Sequence, residues 1–418
     1  MDERKKNIID LDRARDAMRE KNERDELTTL RTDEGEKPGA PKRKKSMTAA
    51  LAVILVIVFA VVLVAAFWDK LNIDALRRIV TYGGANQSET AESGAFEYED
   101  ASSECFASLG DDLAILTNNS VSVRDRYGKT LFTCDVQMND PVLDVGKDKA
   151  VAYDVGGSNL VVFDAREQCL KLTLDKNLAF ISASLSDSDY LAVTAQKSGE
   201  KGCVSVYDSN MNLVFEFNSS QRYVMKACVT ADCNYVVAET LGQSDGSYIS
   251  EMVVYKLKSG EQLSSLTVSG GMVLDLGSIG AQTAALADDR LAIASAQTGE
   301  IGAAYTFDTE YLRGYSLAGD GFTALLLNRY RAGSVARIAT VGSDGTEIAS
   351  QDINDEVLDI SAKGRYVAVL YSDKLVIYTK YMDEYATLTD TGYAKYVCMR
   401  ADGSAWLIGS GSAKLIIP

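Results

Sequence analysis

Two short patterns recur along this 418-residue chain at a step of roughly 40 residues, the period of propeller blades. With only four prolines and almost no amphipathic helix pattern in the repeating region, they predict an all-β fold. The architecture expected is a β-propeller of eight blades, with seven the alternative count. An uncharged apolar run over 47–68, directly after Lys42, Arg43, Lys44 and Lys45, predicts a single transmembrane helix ahead of it.

Residues 1–45 form a charged tail. Ile8, Leu11, Ala14 and Met18 make a narrow apolar stripe, too little for burial, so a solvated cytoplasmic tail is expected and a docking helix is the alternative. Residues 46–68 hold thirteen Leu, Ile, Val and Phe, and at 1.5 Å per residue they span a core of about 30 Å. A cleaved signal peptide would have a shorter apolar core and a small-residue cleavage site. An uncleaved single-pass signal anchor fits better. The basic cluster places the N-terminus in the cytoplasm and the rest of the chain outside it, at the cell membrane. Residues 69–94 read as a juxtamembrane helix, with Leu71, Ile73, Leu76 and Ile79 apolar, and a linker containing Gly83, Gly84 and Gly94.

The domain expected over 95–418 carries both patterns. One is a polar turn leading into a continuous apolar strand, as in Asp112-Leu113-Ala114-Ile115-Leu116, Asp189-Tyr190-Leu191-Ala192-Val193 and Arg365-Tyr366-Val367-Ala368-Val369. Apolar continuity suits strands buried on both faces. These inner strands begin near 113, 151, 191, 236, 291, 366 and 405, and Phe322 to Leu327 supplies the copy missing after 291. The other pattern is an alternating strand ending in Asp, as in Leu160-Val161-Val162-Phe163-Asp164 and Ala304-Tyr305-Thr306-Phe307-Asp308, where the Asp suits a hairpin turn. The last unit has only three strands. Phe96-Glu97-Tyr98-Glu99 has no partner in the first unit, so it is expected to complete the last blade and close the ring.

In rhythm the chain resembles WD-repeat-like and quinoprotein-like propellers, without the Gly-His and Trp-Asp pairs of the former or the tryptophan-docking pattern of the latter. Basic tail, signal anchor and acidic propeller together resemble an uncharacterised family of membrane-anchored propeller proteins from clostridial Gram-positive bacteria. That resemblance implies fold and location but no activity.

Composition narrows the function. The first 45 residues carry +2, from 14 Lys and Arg against 12 Asp and Glu, so the remainder carries −18 of the chain's net −16. So acidic a surface repels phosphate backbones, which argues against nucleic-acid binding. The chain has no histidine, which excludes a Ser-His-Asp triad and His-ligated metal or haem sites. Seven cysteines lie beyond the apolar run. Cys105 and Cys134 fall on the first and fourth strands of one blade, too far apart to bridge, so the thiols are expected free and buried. Asp187 and Asp189, and the cluster Asp352, Asp355, Glu356 and Asp359, lack the glycine and distal Glu of a calcium loop and read as turn carboxylates. No metal or cofactor is expected.

The connections after the second strands are enlarged at 196–202, 240–250, 297–302 and 328–334. An arc of such loops from blades three to six would form a rim with Tyr248, Arg329, Tyr330 and Arg331 exposed, and Tyr and Arg are frequent interface anchors. The expected function is a membrane-anchored binding or scaffolding module, not an enzyme, whose partner is an envelope protein or a cell-wall polymer. The alternative is a glycoside hydrolase or lyase that works through paired carboxylates in the central channel.

Overall fold

The computed structural model describes residues 55, 58, 91–92, 94–98, 104–244, 246–268, 272–333 and 335–418. The chain divides into two compact units, Met1–Asn72 and Ile73–Pro418. In the first, only Leu55 and Val58 are described, both helical and exposed. The rest of the expected transmembrane span, the cytoplasmic tail, and residues 69–90 of the juxtamembrane segment lie outside the described residues. Among the described residues no helix is long and apolar enough to cross a membrane.

The second unit is an all-β propeller of eight antiparallel sheets. Its blades span residues 104–135, 141–173, 180–219, 223–268, 273–306, 311–353, 357–389 and 394–417, and the last is completed from the N-terminal side. Blades one to seven are four-stranded meanders. Antiparallel order puts the start of each first strand and the turn between second and third strands on one face, here called upper. The turns after the first and third strands lie on the lower face.

Two-sided burial explains the sequence pattern. Eight apolar clusters fill the structure, one between each pair of neighbouring blades. The second strand of each blade feeds two of them. In blade one, Ala114 and Leu116 face blade two, while Leu113 and Ile115 face blade eight. Alternation between apolar and polar is therefore lost, and the strands read as continuous hydrophobic runs. The strands expected to be innermost are thus the second strands. The channel is lined instead by the strand before each of them.

Blade five departs from the sequence-based register. Arg290–Ser295 is its third strand, and the second strand is the alanine-rich Gln282–Ala287, joined to it by the two-residue turn Asp288-Asp289. It follows that 297–302 connects the third and fourth strands, on the lower face.

Closure occurs on blade eight, as the missing fourth strand requires. Phe96 pairs with Ala413 and Glu97 with Ser412 on the final strand, Ser412–Ile417. Pairing also extends to Ala91–Glu92, inside the segment expected to be linker, against Ile417 and Ile416. The Phe96 ring meets buried Trp406 edge-on at 6.0 Å, and Tyr98 Oη donates to the Gly409 carbonyl at 2.5 Å. On the lower face Arg400, only 3% exposed, joins blade eight to Asp111 of blade one and donates to Ser404 Oγ at 2.9 Å. All seven cysteines are unbridged, and Cys105 and Cys134 occupy the first and fourth strands of blade one.

Phe96→Ala is expected to cost about 3 kcal/mol, the scale of deleting a buried aromatic ring. Chemical denaturation checks it, and a loss below about 1 kcal/mol would show that the ring closes without this strand.

Candidate functional site

In blades three to eight the first strand begins with a β-bulge, read from the register breaks at Phe180/Ser182, Val224/Lys226, Val273/Asp275, Leu312/Gly314, Val357/Asp359 and Ala394/Tyr396. A bulge leaves one residue unpaired and re-aims it. Here those residues are Ile181, Met225, Leu274, Arg313, Leu358 and Lys395. Ile181 is half-buried and the other five are exposed. With exposed Tyr223, Met272, Tyr311, Tyr393 and Tyr396 beside them, they make an apolar and aromatic crescent with two cations on the upper face of an acidic chain.

A cavity of about 660 Å³ opens in this crescent at blade six. Its walls are Tyr311, Leu312 and Arg313 from the first strand, Asn328, Arg331 and Gly333 from the second strand and following loop, and Glu356 leading into blade seven. The Arg313 guanidinium donates to the Val357 carbonyl at 3.1 Å, and Arg331 lies 5.4 Å from the Tyr311 ring centroid. Asn328 is 7% exposed, and among the described residues its Oδ1 accepts no hydrogen bond.

A second cavity of about 690 Å³ opens to the lower face of the channel, with Lys226, Asp144 and Asp275 in its wall. Lys226 is ion-paired with Asp275, and its cross-strand neighbour is Glu239. Burial opposes the lysine's charge, but Asp275, helped by Asp144, holds its pKa above the ordinary value. Burial pushes the Asp144 carboxyl up, against Lys226 and the Leu185 N–H that Asp144 Oδ2 accepts at 2.8 Å. Glu239, 2% exposed, is pushed up to about 7 by burial, against its bond from the Ser250 hydroxyl. Asp359 is pushed up to about 6 by burial, and it accepts the Val397 N–H of the next blade at 2.8 Å. Asp144 and Asp359 thus join neighbouring blades, a structural use of channel carboxylates.

The residues predicted to share one rim are divided. Tyr248, 77% exposed, sits at the tip of a blade-four ribbon in which Tyr235–Ser244 and Ser247–Lys256 stay paired where a long loop over 240–250 was expected. Arg222 braces that ribbon through Glu251 at 3.2 Å and Thr240 Oγ1 at 3.1 Å. Tyr330 is exposed at the blade-six loop, Arg329 pairs with exposed Asp352 at 3.9 Å, and Arg331 enters the pocket wall. The tight blade-five turn interrupts the expected arc, because the long 297–302 connection lies on the opposite face. Sequence reading missed Arg313, Tyr311 and the bulges. The triplet Val-Leu-Asp at 142–144, 273–275 and 357–359 marks three first strands but not the bulges, since blade two carries it with its register unbroken. Four of the six acidic residues weighed for calcium have other partners: Asp189 Oδ1 accepts the Lys147 and Asp148 N–H groups at 2.9 and 3.0 Å, Asp355 pairs with Lys374 at 2.9 Å, Asp352 pairs with Arg329, and Asp359 accepts the Val397 N–H. Among the described residues no group of acidic or thiol side chains is arranged to hold a metal ion.

Because the Glu239 pKa is raised on folding, its stability contribution is full below about 4.5 and is lost as pH rises through about 7. Glu239→Gln is therefore expected to stabilise the fold at pH 8 by up to about 3 kcal/mol relative to the parent, and hardly at all at pH 4. Melting curves at the two pH values check the sign.

The fold is shared widely. BamB from Moraxella catarrhalis is similar at 11% identity and a TM-score of 0.50, over 78% of this chain and 99% of that one. The C-terminal WD40 domain of Sif2 is similar at 12% identity and a TM-score of 0.55, over 80% of this chain and 100% of that domain. At such identities the likeness concerns the fold alone. No curated protein matches the sequence. Residues 81–407 match the family of unknown function DUF5711, and the chain belongs to that family.

Proposed function

We propose that this protein is a membrane-anchored binding module whose propeller stands outside the cytoplasm and holds a protein segment of the cell envelope on its upper face. The observation that carries the reading is the bulge crescent, where Met225, Leu274 and Leu358 are exposed beside tyrosines, Arg313 and Lys395. Exposed apolar area of this kind is costly in water unless something covers it, and Tyr, Met and Arg are the types enriched in protein interfaces. A protein partner suits this composition better than a cell-wall polymer. The anchor reading rests on the apolar run over 47–68 and the basic cluster before it.

The hydrolase or lyase alternative draws on Asp144 and Asp275 around Lys226 in the lower cavity. It is the weaker reading, because Asp275 is neutralised by Lys226 and Asp144 is held by a backbone N–H of the next blade. A carboxylate engaged in this way is poorly placed to receive a proton from water or a leaving group.

Photo-crosslinking from intact membranes tests the binding face. Leu274→Glu with Leu358→Glu should leave melting unchanged, since both side chains are exposed, and should abolish the crosslinks; retention of the same partners in the same yield would remove the upper face as the site. Protease added to wall-stripped cells should digest the chain beyond residue 68 and spare residues 1–45. Recovery of the propeller from the cytosol would end the anchor reading.

A further inference from the structure

We propose that the blade-six pocket receives the free C-terminal carboxylate of an apolar peptide segment, an inference that rests on the binding-module reading above. Arg313 and Arg331 stand in one wall, and among the described residues neither lies within ion-pairing distance of a carboxylate. Other arginines on this chain are neutralised: Arg337 bonds Glu310 and Glu347, each at 2.6 Å, and Arg222 pairs with Glu251. Two guanidinium groups outside ion-pairing distance of any described acid, in a chain of net −16, mark a place where an anion is gained from outside. Each keeps most of its donors for a ligand, since Arg313 spends one N–H on the Val357 carbonyl and Arg331 rests on the Tyr311 ring.

Charge and hydrogen-bond chemistry then narrow the ligand. Glu356 shares the wall, so two positive groups and one negative leave room for a single negative charge and disfavour a phosphate dianion. Asn328 brings an acceptor with no partner into a nearly buried wall, where an unmade bond costs about 1 to 3 kcal/mol. A peptide terminus supplies the matching donor in the amide N–H beside its carboxylate. On either side of Arg313 the equivalent bulge residues are Leu274 and Leu358, apolar and exposed, which suit the side chains of the terminal residues. A volume near 660 Å³ is within the range of small-ligand sites and accommodates a few residues.

The test uses the full chain in lipid nanodiscs and a pool of N-acetylated random hexapeptides, presented once with a free C-terminus and once amidated, with retained peptides identified by mass spectrometry. The free-acid pool is expected to be retained at least roughly tenfold better, the scale of one bond to a charged group, and to be enriched in apolar final residues. Arg331→Ala and Arg313→Ala should each remove that preference. Arg329→Ala, which alters an exposed pair outside the pocket, should preserve it. If Arg313→Ala lowers the melting temperature, Arg331→Ala decides alone, since its side chain is exposed on a loop. Equal retention of both pools, retention of neither, a preference surviving Arg331→Ala, or amidated peptides with internal Asp or Glu binding as well as free acids would each overturn the proposal. Displacement of both pools alike by inorganic phosphate, with no preference for the free acid, would show a general anion site instead. Upper-face crosslinks that persist through any of these failures would leave the binding-module reading standing, because they depend on Leu274 and Leu358 rather than on the arginines.

Discussion

Burial on both faces of every blade is the constraint from which the rest of this molecule follows. Each sheet is covered by a neighbour on either side, so the second strands carry apolar residues at consecutive positions, and eight separate clusters replace one central core. Such an arrangement is stable only as a closed ring, because an uncovered blade would expose one whole sheet face and one strand edge. Phe96, Tyr98, Trp406 and Arg400 therefore carry a burden out of proportion to their number. They join blade eight to the N-terminal strand and to blade one, where strands distant in sequence meet.

The same constraint decides where function can reside. Positions inside the clusters are committed to packing, which leaves the loops, the channel-lining strands and the bulges at their upper ends. The bulges are informative because they recur without repeating a residue type. Ile181, Met225, Leu274, Arg313, Leu358 and Lys395 occupy one structural position, and none of them is needed to fill an interblade cluster. Repetition of backbone with variation of side chain is how a symmetric scaffold builds an asymmetric surface. Deeper in the channel the choice is the reverse: Asp144 and Asp359 recur and each accepts an N–H of the next blade.

How much of this was legible in the sequence follows from which signals are local. Blade count and closure were readable, because a two-sided strand such as Tyr366–Tyr371 and an unpaired end such as Phe96-Glu97 leave marks within a few residues. Register in blade five was not. Its second strand, Gln282–Ala287, is rich in small residues, whereas the third, Arg290–Ser295, follows an aspartate and carries Leu and Ile, so the two exchange appearances. The pocket was half legible. Arg331 stood out within an enlarged loop, but Arg313 lies on a different strand and meets it only through the fold, and a bulge has no composition of its own to betray it.

Charge narrows what the proposed binding surface could hold. The chain is acidic enough to repel most anionic partners at a distance, and within a Debye length of about 8 Å only local groups are felt strongly. Arg313, Arg331 and Lys395 lie on the upper face, close to exposed leucine, methionine and tyrosine, while Lys226 is spent inside the channel on Asp275. A partner drawn only by charge would be turned away by the acidic body. A purely apolar partner would leave the arginines desolvated and unpaired, which costs more than the apolar contact returns. The partner proposed for this surface is therefore a segment that presents apolar side chains and a single negative charge together, since that combination answers both features at once.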